Sequence, residues 1–558
     1  MRDLILNVSS LVRAGICAAI TITAGGCGET RGAPISVARV EDASWPTYNG
    51  TLDGERFANV GQITPDNVAH LGPACQIALG ENGTFQSGPI VIGDTLFVTT
   101  PHSTAALDAT TCDVLWRHID TAKGPDVYAV NRGAAYLDGR VFRGTPDGRL
   151  LALDSRTGNT IWDVTVGDPR NGEFTSSAPI AWHGLVYIGL AGGDWGIRGR
   201  MMAFDAASGK ERWRFNTVPF VGEPGAETWK SVESASRGGG AQWTSYTLDT
   251  ASGELFVPVG NPAPDFAPQA RPGDNLYTDA IIVLDANSGA LQWYYQVVPH
   301  DGFDYDLAAA PALFNLDGPR VALGGKDGAL YVVDRKSRQR LFKTAITTVT
   351  PPASPPTEAG VYACPGSLGG VEWNGPAYDP LTNLLYVGAV DWCGTYTTGT
   401  DSEISHHMPG DTYYGTNAAP VSTNAASGWL TAVDARSGAV KWRFHAPGPI
   451  VAGVTPTAGG VVFNGDLAGN FYAFDAGSGA MLYTYHTGGA IAGGVITYAI
   501  RGLQYVATTS GNVSRATFRT GGPSTLIIFS LNPPSRPRKI KLPAFKRPVT
   551  PNARGQTR

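Results

Sequence analysis

The chain has 558 residues, of which 42% are hydrophobic and 16% charged, and its formal net charge is −5. This length allows several ordinary domains or one large repeat architecture, and the small negative charge gives no support for nucleic-acid binding. The 71 glycines and 39 prolines predict many turns joined by short strands rather than long helices.

Residues 1–27 are typical of a signal peptide. Arg2 and Arg13 precede the apolar run "AGICAAITITAGGC", which is shorter than the ~20 residues that a membrane-spanning helix needs. The run ends in "AGGC", which resembles a lipoprotein cleavage box with an imperfect first position. Two alternatives follow: Cys27 is lipidated and attaches the protein to a membrane, or the leader is simply removed. We interpret residues 28–40 as a linker.

The cysteines favour disulfide bonds in an oxidising compartment. Four cysteines remain after Cys17 in the leader and Cys27 at its end are set aside, namely Cys75, Cys112, Cys364 and Cys393. An even number in an exported protein predicts two disulfides. The pairings with the shorter loops are Cys75–Cys112 and Cys364–Cys393. Neither a C-x-x-C zinc pattern nor a C-x-x-C-H haem-attachment motif occurs.

One unit recurs seven times: two apolar residues, Asp, three residues, usually Gly, three residues and an aromatic. The aspartates are Asp108, Asp154, Asp205, Asp285, Asp334, Asp434 and Asp475, and the aromatics are Trp116, Trp162, Trp213, Trp293, Phe342, Trp442 and Tyr483. The unit predicts strand, turn and strand. The Asp side chain can cap the turn amides, Gly supplies the positive φ, and the aromatic packs on a neighbouring sheet.

Further short strands precede the units, for example "TLFVTT" and "LFVPVG". About four strands per unit form the blade of a β-propeller. We therefore predict an all-β chain whose residues 41–531 form an eight-bladed propeller with tryptophan-docking-type repeats. A strand near Trp45 is expected to help close the ring, and the last blade is expected to include "LQYVATTSG". A stack of separate β-sandwiches is the alternative, which the constant unit disfavours.

The C-terminal residues differ in composition from the rest of the chain. From Leu531 onward there is no acidic residue, whereas eight residues are Lys or Arg. Together with the prolines, this composition predicts that residues 532–558 are a disordered basic tail. A solubilising role is favoured over contact with anionic lipid or an acidic partner.

Several motifs carry a family resemblance. The segments "SWPTYNGTLDGERFANVGQITPDNVAHLG", "GNPAPDF", "RPGDNLYTDAIIVLD", "PHDGFDYD" and "GGVEWNGPAYDP" occur in this order. They resemble segments of the pyrroloquinoline quinone (PQQ)-dependent alcohol dehydrogenases, and the similarity extends from about Trp45 to about Gly511. The resemblance implies an eight-bladed propeller with the quinone buried on its axis, a bound metal ion and an aspartate base.

The resemblance also implies roles for individual residues. Asp304 matches the catalytic aspartate, and Lys326 matches a cation that bonds the quinone oxygens. The implied metal ligands are Asp194, Asn261, Asp304 and Asp306, and the implied PQQ contacts are Arg132, Ser176, Trp243, Lys326, Gln86, Glu372 and Trp373. Cys364 and Cys393 stand where the family has a disulfide, in agreement with the pairing above.

These residue types suit the chemistry. A flat aromatic such as Trp243 offers a stacking surface for a planar quinone, and the Arg132 fork matches a carboxylate. Asp and Asn supply the oxygen ligands that a hard cation prefers, and such a cation polarises a carbonyl as a Lewis acid. Lys326 would stabilise negative charge on the quinone oxygens. Asp304 would take the alcohol proton, a contribution of typically ~10²–10⁴-fold.

Departures from the family pattern concern the cofactor surroundings. Asp194 replaces a glutamate usual at that metal position, and Asp126 and Val127 stand where many relatives have adjacent cysteines. Gln86 and Glu372 stand where the family often has Glu and Asn.

The identity of the metal depends on Asp306. Lanthanide-dependent members carry an extra aspartate at this position, but Ca²⁺- or Mg²⁺-using glucose and polyol dehydrogenases also have an acid there. We favour Ca²⁺, with a lanthanide as the alternative. Taken alone, "HDGFDYD" would be interpreted as a solvated turn and Lys326 as a surface residue. The functional roles given to them therefore depend on the whole ordered set of motifs.

The predicted function is that of a periplasmic quinoprotein oxidising an alcohol, polyol or sugar by hydride transfer to PQQ. Electrons would pass to an external cytochrome c or membrane quinone, because no haem motif is present. One alternative is a non-catalytic propeller scaffold lipoprotein of the outer membrane. Another is a degenerate relative that binds PQQ without turnover, an alternative motivated by Asp194 and Glu372.

Overall fold

Antiparallel β-sheets follow one another around a ring. The computed structural model describes residues 37–416, 421–422, 426–514, 518 and 520–549. Over these residues, seven sheets have four strands each and another has five, and a small three-stranded sheet is inserted at the sixth blade. The predicted all-β, eight-bladed propeller is confirmed. The predicted signal peptide and Cys27 lie outside the described residues, and no helix of the described part is long and apolar enough to cross a membrane.

Each of the first seven blades is a meander of neighbouring strands. The first four blades contain β2 (Ile90–Ile92), β3 (Thr95–Thr99), β4 (Ser103–Asp108), β5 (Val114–Ile119); β6 (Ala135–Leu137), β7 (Arg140–Gly144), β8 (Arg149–Asp154), β9 (Thr160–Thr165); β10 (Ile180–Trp182), β11 (Leu185–Gly189), β12 (Arg200–Asp205), β13 (Glu211–Asn216); and β14 (Thr247–Asp249), β15 (Glu254–Val259), β16 (Ala280–Asp285), β17 (Leu291–Gln296). The next three contain β18 (Ala312–Asn315), β19 (Pro319–Gly324), β20 (Ala329–Asp334), β21 (Arg340–Ala345); β23 (Ala377–Asp379), β24 (Leu384–Asp391), β27 (Ser427–Asp434), β28 (Val440–Ala446); and β29 (Thr455–Pro456), β30 (Val461–Gly465), β31 (Asn470–Asp475), β32 (Met481–His486).

The remaining elements are the last blade and the insertions. The last blade contains β33 (Val495–Ile500), β34 (Leu503–Ser510), β35 (Thr525–Ser530), β1 (Gly72–Ala78) and β36 (Arg538–Lys541), and the small sheet contains β22 (Val361–Ala363), β25 (Gly394–Tyr396) and β26 (Val421–Ser422). The helices are α1 (Val232–Ser236), α2 (Asp401–Ser405) and the 3₁₀ turns Val68–His70, Pro169–Asn171, Gly193–Trp195, Ala226–Thr228 and Pro268–Ala270.

The repeat unit joins successive blades, as predicted. In the third blade, Asp205 accepts a hydrogen bond from Ser208 N at 2.9 Å, and Gly209 adopts a φ of 72°. A Cβ on Gly209 would lie 2.8 Å from the ring of Trp162 in the preceding blade. Trp162 Nε1 donates to Ala206 O at 3.2 Å, so the aromatic of one blade docks on the turn of the next. The same type of bond is donated by Trp116, Trp213 and Trp442.

The ring closes through the N-terminal part of the chain. Strand β1 pairs antiparallel with β35, from Gly72 opposite Ser530 to Ala78 opposite Thr525. The expected contribution near Trp45 consists of isolated bridges, Ala43 with Ala499 and Trp45 with Val91, which join the last blade to the first. The main closing strand is therefore β1, and the segment at Trp45 is accessory to it.

The prediction of a disordered tail is wrong for the described residues 532–549. Strand β36 pairs in parallel with β1, with Cys75 opposite Arg538 and Ala78 opposite Lys541. The physical reason is that the open edge of β1 in the last blade and acidic side chains of the first two blades offer partners that composition alone does not reveal.

Both predicted disulfides are formed. Cys75 is bonded to Cys112 and Cys364 to Cys393. The first joins the closing strand β1 to the turn after β4, and the second lies in the insertion of the sixth blade. The hydrophobic core consists of clusters between adjacent sheets, so each blade is held by the two blades beside it.

Candidate functional site

The predicted site residues come from two kinds of loop that meet on one face of the propeller. In a four-stranded antiparallel blade, the loop entering the first strand and the loop joining the second and third strands lie at the same end. Loops entering blades carry Gln86, Arg132, Ser176, Trp243, Asp304, Asp306, Glu372 and Trp373, and second-to-third loops carry Asp194, Asn261 and Lys326. The Asp–Gly turns of the repeat lie at the opposite end, which explains why they are structural.

These loops enclose one chamber, with an empty volume of ≈ 890 Å³ that includes its opening to solvent. Its wall contains Gln86, Arg132, Ser176, Asp194, Trp243, Asp304, Asp306, Lys326, Glu372 and Trp373. Asn261 is buried directly behind the wall, and its backbone N–H donates to Asp306 Oδ1 at 2.8 Å. A wider open groove near Arg149 contains none of the predicted site residues. The structure therefore brings all eleven residues to one place, over a sequence span of nearly 300 positions.

An aromatic and cationic surface forms one side of the chamber. The guanidinium of Arg132 lies 4.6 Å from the ring centre of Trp243 and 5.2 Å from that of Trp373. Arg132 Nη1 and Ser176 Oγ both donate to Trp243 O, at 2.8 and 2.9 Å. These bonds fix the backbone that carries Trp243, and they hold Arg132 beside the ring where it can meet an anionic, planar guest.

Glycines allow the loops to approach this surface closely. Gly239 has a φ of 73°, and a Cβ on it would lie 2.8 Å from Asn261 O. A Cβ on Gly260 would collide with the carboxylate of Asp306. Gly239 therefore permits close contact between the loop that enters the fourth blade and the second-to-third loop of the same blade, and Gly260 permits contact between that second-to-third loop and the entrance of the fifth blade.

An ion cluster lies next to this surface. Lys326 Nζ lies 2.9 Å from Asp304 Oδ2 and 3.1 Å from Asp306 Oδ2. Asp306 Oδ1 also lies 3.4 Å from Trp243 Nε1. Asp304 has a φ of 59°, a region that a non-glycine residue occupies at a cost in free energy. This cost is consistent with a functional demand on the direction of the Asp304 side chain.

Burial and mutual repulsion perturb these acids. Desolvation raises the pKa of Asp304 well above its usual range, with repulsion from Asp306 and Asp194 adding to it and Lys326 offsetting part. Desolvation, with Asp306, raises the pKa of Asp194 to about 6, and desolvation raises the pKa of Glu372 to about 7. Burial would lower the pKa of Lys326, but Asp304 and Asp306 raise it well above its usual range. The chamber thus holds more carboxyl groups than cationic groups, and the raised pKa values show that their ionised forms lack sufficient compensation, which a bound cation would supply.

The chamber wall offers unsatisfied polar atoms to a guest and carboxyl oxygens to a cation. Three buried polar atoms on its wall, Gln86 Oε1, Glu372 Oε1 and Arg132 Nε, have no hydrogen-bond partner in the described part of the chain. Buried polar atoms are normally satisfied, so these atoms indicate a polar guest. Around the acids, no group of three His, Cys, Asp or Glu side chains is assembled to hold a metal ion within the described residues. The ammonium of Lys326 instead serves as the cation between Asp304 and Asp306.

The first two residues of "HDGFDYD", His300 and Asp301, have structural roles. Asp301 accepts hydrogen bonds from Phe303 N at 3.0 Å and Tyr305 N at 2.9 Å, so it caps the loop that presents Asp304. His300 Nδ1 lies 2.8 Å from Gly273 O, a contact that ties this loop to the loop between β15 and β16.

The sequence prediction missed Asp265 and the aromatic wall. Asp265 is 1% exposed, and its Oδ1 has no hydrogen-bond partner among the described residues. Burial, together with repulsion from Asp194 and Asp306, raises its pKa well above the usual range. Its signal was an acid four positions after Asn261 in the apolar motif "GNPAPDF". Tyr128, Phe174, Trp195, Leu368, Tyr414 and Phe518 also line the chamber, and they give its mouth an apolar character.

The inserted loop of the sixth blade reaches this site. Tyr413 N donates to Asp194 O at 2.5 Å, and Phe266 N donates to Tyr414 O at 2.9 Å. His407 packs on Tyr413, with ring centres 4.2 Å apart. The loop therefore supports the metal-side residues through its backbone and contributes Tyr414 to the wall, as expected for a loop that shapes the entrance.

Known proteins resemble both the sequence and the fold. The family model described as glucose/ethanol/alcohol dehydrogenase, beta-propeller domain, matches residues 45–351, and that of outer membrane protein assembly factor BamB matches residues 424–523. Quinohemoprotein alcohol dehydrogenase ADH IIB from Pseudomonas putida is 30% identical over 96% of this chain and 85% of its own. A lanthanide-dependent methanol dehydrogenase from Methylacidiphilum fumariolicum is 30% identical over 77% of this chain and 78% of its own. The solved quinohemoprotein alcohol dehydrogenase ADHIIG from Pseudomonas putida HK5 has a TM-score of 0.81 at 26% identity, covering 89% of this chain and 81% of that one.

Proposed function

The chain belongs to the family of PQQ-dependent alcohol dehydrogenases, and from this premise we propose that it oxidises an alcohol, polyol or sugar by hydride transfer to PQQ. The observation that carries the proposal is the convergence of Arg132, Trp243, Asp304 and Lys326 on one chamber. An aromatic plane, a carboxylate-binding fork, a base and a cation are the groups that this reaction needs from a protein.

The chain's own residues have the following proposed roles. When bound, PQQ supplies the electrophilic carbonyl that accepts the hydride. Trp243 supports the flat ring, Arg132 and Ser176 bind carboxylates, and Gln86, Glu372 and Trp373 line the remaining edge. Lys326 orients Asp304 through its 2.9 Å contact with Oδ2 and opposes negative charge on neighbouring oxygens.

Asp304 is the proposed base. Its carboxylate lies on the chamber wall, and its side chain is 16% exposed. It would take the proton from the hydroxyl oxygen as a hydride leaves the carbon that bears this hydroxyl, so that one alcohol loses two electrons and two hydrogens. General-base assistance of this kind contributes typically ~10²–10⁴-fold to the rate.

Asp194, Asn261, Asp304 and Asp306 are the proposed metal ligands, and Ca²⁺ is the proposed ion. Oxygen donors of this type suit a hard cation, which would act as a Lewis acid at the carbonyl. A trivalent lanthanide is the second candidate, because buried Asp265 adds an acid to the surroundings of the predicted ligands. Glu372, whose pKa is raised to about 7, adds no negative charge around the proposed ion when it is protonated.

We further propose that the protein acts in the periplasm and passes electrons to a separate cytochrome c or membrane quinone. The leader-like residues 1–27 support export, and the printed sequence contains no C-x-x-C-H haem-attachment motif. Lipidation of Cys27, with membrane attachment, is the alternative to a freely diffusing form.

A matched pair of variants tests the proposal. Apoprotein would be loaded with PQQ and either Ca²⁺ or La³⁺, and dye reduction would be followed across a panel of alcohols, polyols and sugars. Asp304→Asn is expected to keep PQQ binding and to lose turnover by about 10²–10⁴-fold. Asp317→Asn changes an exposed Asp in the turn between β18 and β19, and it should remain as active as the wild type.

The outcomes separate the candidate functions. Full activity of Asp304→Asn would remove Asp304 as the base. A wild type that binds PQQ but turns over no substrate with either ion would support the degenerate relative. A wild type that binds no PQQ under any ion would support the scaffold.

A further inference from the structure

The described part of the C-terminal tail, up to residue 549, contacts a largely buried ion cluster. The guanidinium of Arg547 contacts three acids: Asp120 Oδ2 at 2.6 Å, Asp147 Oδ1 at 3.0 Å, and Asp126 Oδ1. The Asp120 and Asp147 side chains are fully buried and that of Arg547 is 10% exposed. Asp120 and Asp147 also contact Arg149, at 3.5 and 3.1 Å, whereas Asp126 pairs with Arg547 and His102. Loss of Arg547 therefore weakens the hold on Asp126 most, at a cost larger than that of a fully exposed pair.

Two of these three acids belong to a loop that covers the chamber. The 120–130 loop connects β5 to β6. Its Asp126 is held on the other side by His102, whose Nε2 lies 2.7 Å from Asp126 Oδ2, and His102 in turn contacts Glu81 at 2.7 Å. The tail also binds the loop through its backbone, because Ala122 N donates to Pro548 O at 2.8 Å.

The other end of the same loop forms chamber wall. Tyr128 and Val130 line the chamber, and Tyr128 OH lies 2.8 Å from Ser514 Oγ of the last blade. The ring of Tyr128 also lies 6.4 Å from that of Trp195. Arg132, two residues beyond the loop, carries the proposed carboxylate contact. A displacement of the loop would therefore change the wall of the chamber without touching the acids at the proposed metal site.

We propose that the C-terminal tail is a strap, with Arg547 a positioning residue that fixes the 120–130 loop and thereby the Tyr128 wall of the cofactor chamber. Arg547 acts through Asp120 and Asp126 and does not itself line the chamber. The ligand whose binding it controls is the planar, anionic cofactor of the proposed function, and to that extent the inference rests on the proposed function.

The tail offers its own matched control. Arg538 also forms an ion pair, with Asp113, but its side chain is 52% exposed and lies on β36 at the outer edge of the last blade. Arg538→Ala removes one positive charge from the same tail without reaching the 120–130 loop. The comparison of Arg547→Ala with Arg538→Ala separates a local effect on the chamber wall from a general effect of tail charge.

Two readouts test the strap. Hydrogen–deuterium exchange of peptides covering 120–130 measures the loop directly in the apoprotein, and quenching of tryptophan fluorescence by PQQ, with Ca²⁺ present, measures the dissociation constant. In Arg547→Ala we expect loop exchange and the PQQ dissociation constant each to rise about tenfold, equivalent to about 1.4 kcal/mol. Arg538→Ala should stay within about twofold of the wild type on both.

Further variants keep the test decisive. Asp126→Asn breaks the contact from the loop side and should raise both the loop exchange and the PQQ dissociation constant. In the double variant of Arg547 and Asp126, neither quantity should rise further than in the single variants, since the two residues act through one contact. Arg547→Lys retains the charge and should restore part of the affinity. If Arg547→Ala does not fold, Asp126→Asn and Arg547→Lys provide the same two comparisons.

The outcomes distinguish this inference from the proposed function. If Arg547→Ala and Arg538→Ala have the same loop exchange, or if Asp126→Asn leaves it unchanged, the strap is wrong. If the loop loosens but PQQ affinity stays that of the wild type, the role in cofactor binding is wrong. If the wild type binds no PQQ, the proposed function fails, while the exchange measurement still decides whether the tail holds the loop.

Discussion

Replacing Lys326 by Met should destabilise the apoprotein and make it more dependent on an added cation. Lys326 is 3% exposed, and its ammonium lies 2.9 and 3.1 Å from Asp304 and Asp306. Met keeps the length of the side chain and removes the charge. The two carboxylates would then be buried beside Asp194 without their nearest cation.

The magnitude follows from burial. Removing one partner of a buried ion pair costs about 3–5 kcal/mol, because the other charge remains desolvated. For about 500 ordered residues the entropy of unfolding is about 1 kcal/mol per kelvin, so the unfolding midpoint should fall by about 3–5 °C. Lys343→Met is the control. Lys343 also contacts an acid, Asp327 at 2.9 Å, but its side chain is 47% exposed, and the expected change is about 0–1 kcal/mol.

The assay is thermal unfolding of each apoprotein with and without La³⁺ or Ca²⁺. A cation that binds only the folded state stabilises it, and it should raise the midpoint of Lys326→Met more than that of the wild type, since it replaces the missing charge. A variant that unfolds at the wild-type temperature, or that gains no more from the ions than Lys343→Met does, would refute the interpretation of the chamber as an acid cluster in need of a cation.

Two further predictions concern regions outside the acid cluster of the chamber. Burial alone would lower the pKa of His102, but hydrogen bonds to Asp126 and Glu81 raise it from 6.5 to about 9. The stability that it contributes, about 3–4 kcal/mol before screening by solvent and neighbouring Arg547, is therefore fully present below pH 6.5 and lost as the pH rises through about 9. Urea unfolding of His102→Gln and the wild type should show a difference in stability at pH 6 that disappears at pH 10. Gly479 and Gly460 have φ values of 73° and 75°, but only a Cβ on Gly479 would meet the docking aromatic of the preceding blade. In chemical unfolding, Gly479→Ala should therefore lower the free energy of unfolding by about 2–5 kcal/mol and Gly460→Ala by about 1–2 kcal/mol. Equal losses of stability in the two variants would argue against the docking role.

The blades could be predicted from sequence because their chemistry is local. Asp205, Gly209 and Trp213 lie within nine residues, and the turn that joins them depends on side-chain capping and on a positive φ. Neither feature needs information from elsewhere in the chain. The aromatic follows the Asp by eight residues in all seven copies, and this constant offset identified the blades although the copies themselves lie at unequal intervals.

The ring closure and the tail needed non-local information. Strand β1 pairs with residues more than 440 positions away, and nothing in Gly72–Ala78 specifies that partner. The tail was interpreted from its composition, but the acids that bind Arg547 come from the first and second blades. Basic composition predicts disorder only when no buried acid is available to pair with it.

The candidate site could be predicted to the extent that its residues lie in motifs shared with a family. Asp304, Asn261 and Lys326 were predicted in this way, and they meet in the structure. Asp265 was missed because an acid in a Pro-rich loop is usually solvated. Tyr414 was missed because its insertion reaches the chamber only through tertiary contacts.

The most direct test of the central claim is a titration of PQQ into the purified apoprotein in the presence of Ca²⁺ or La³⁺, followed by the quinone absorbance and by tryptophan fluorescence. We expect saturable binding of one PQQ per chain, with Trp243→Ala weakening it and Trp116→Ala, which alters a blade-docking aromatic outside the chamber, leaving the affinity unchanged. Absence of saturable binding with every ion, or equal affinities in the two variants, would contradict the account.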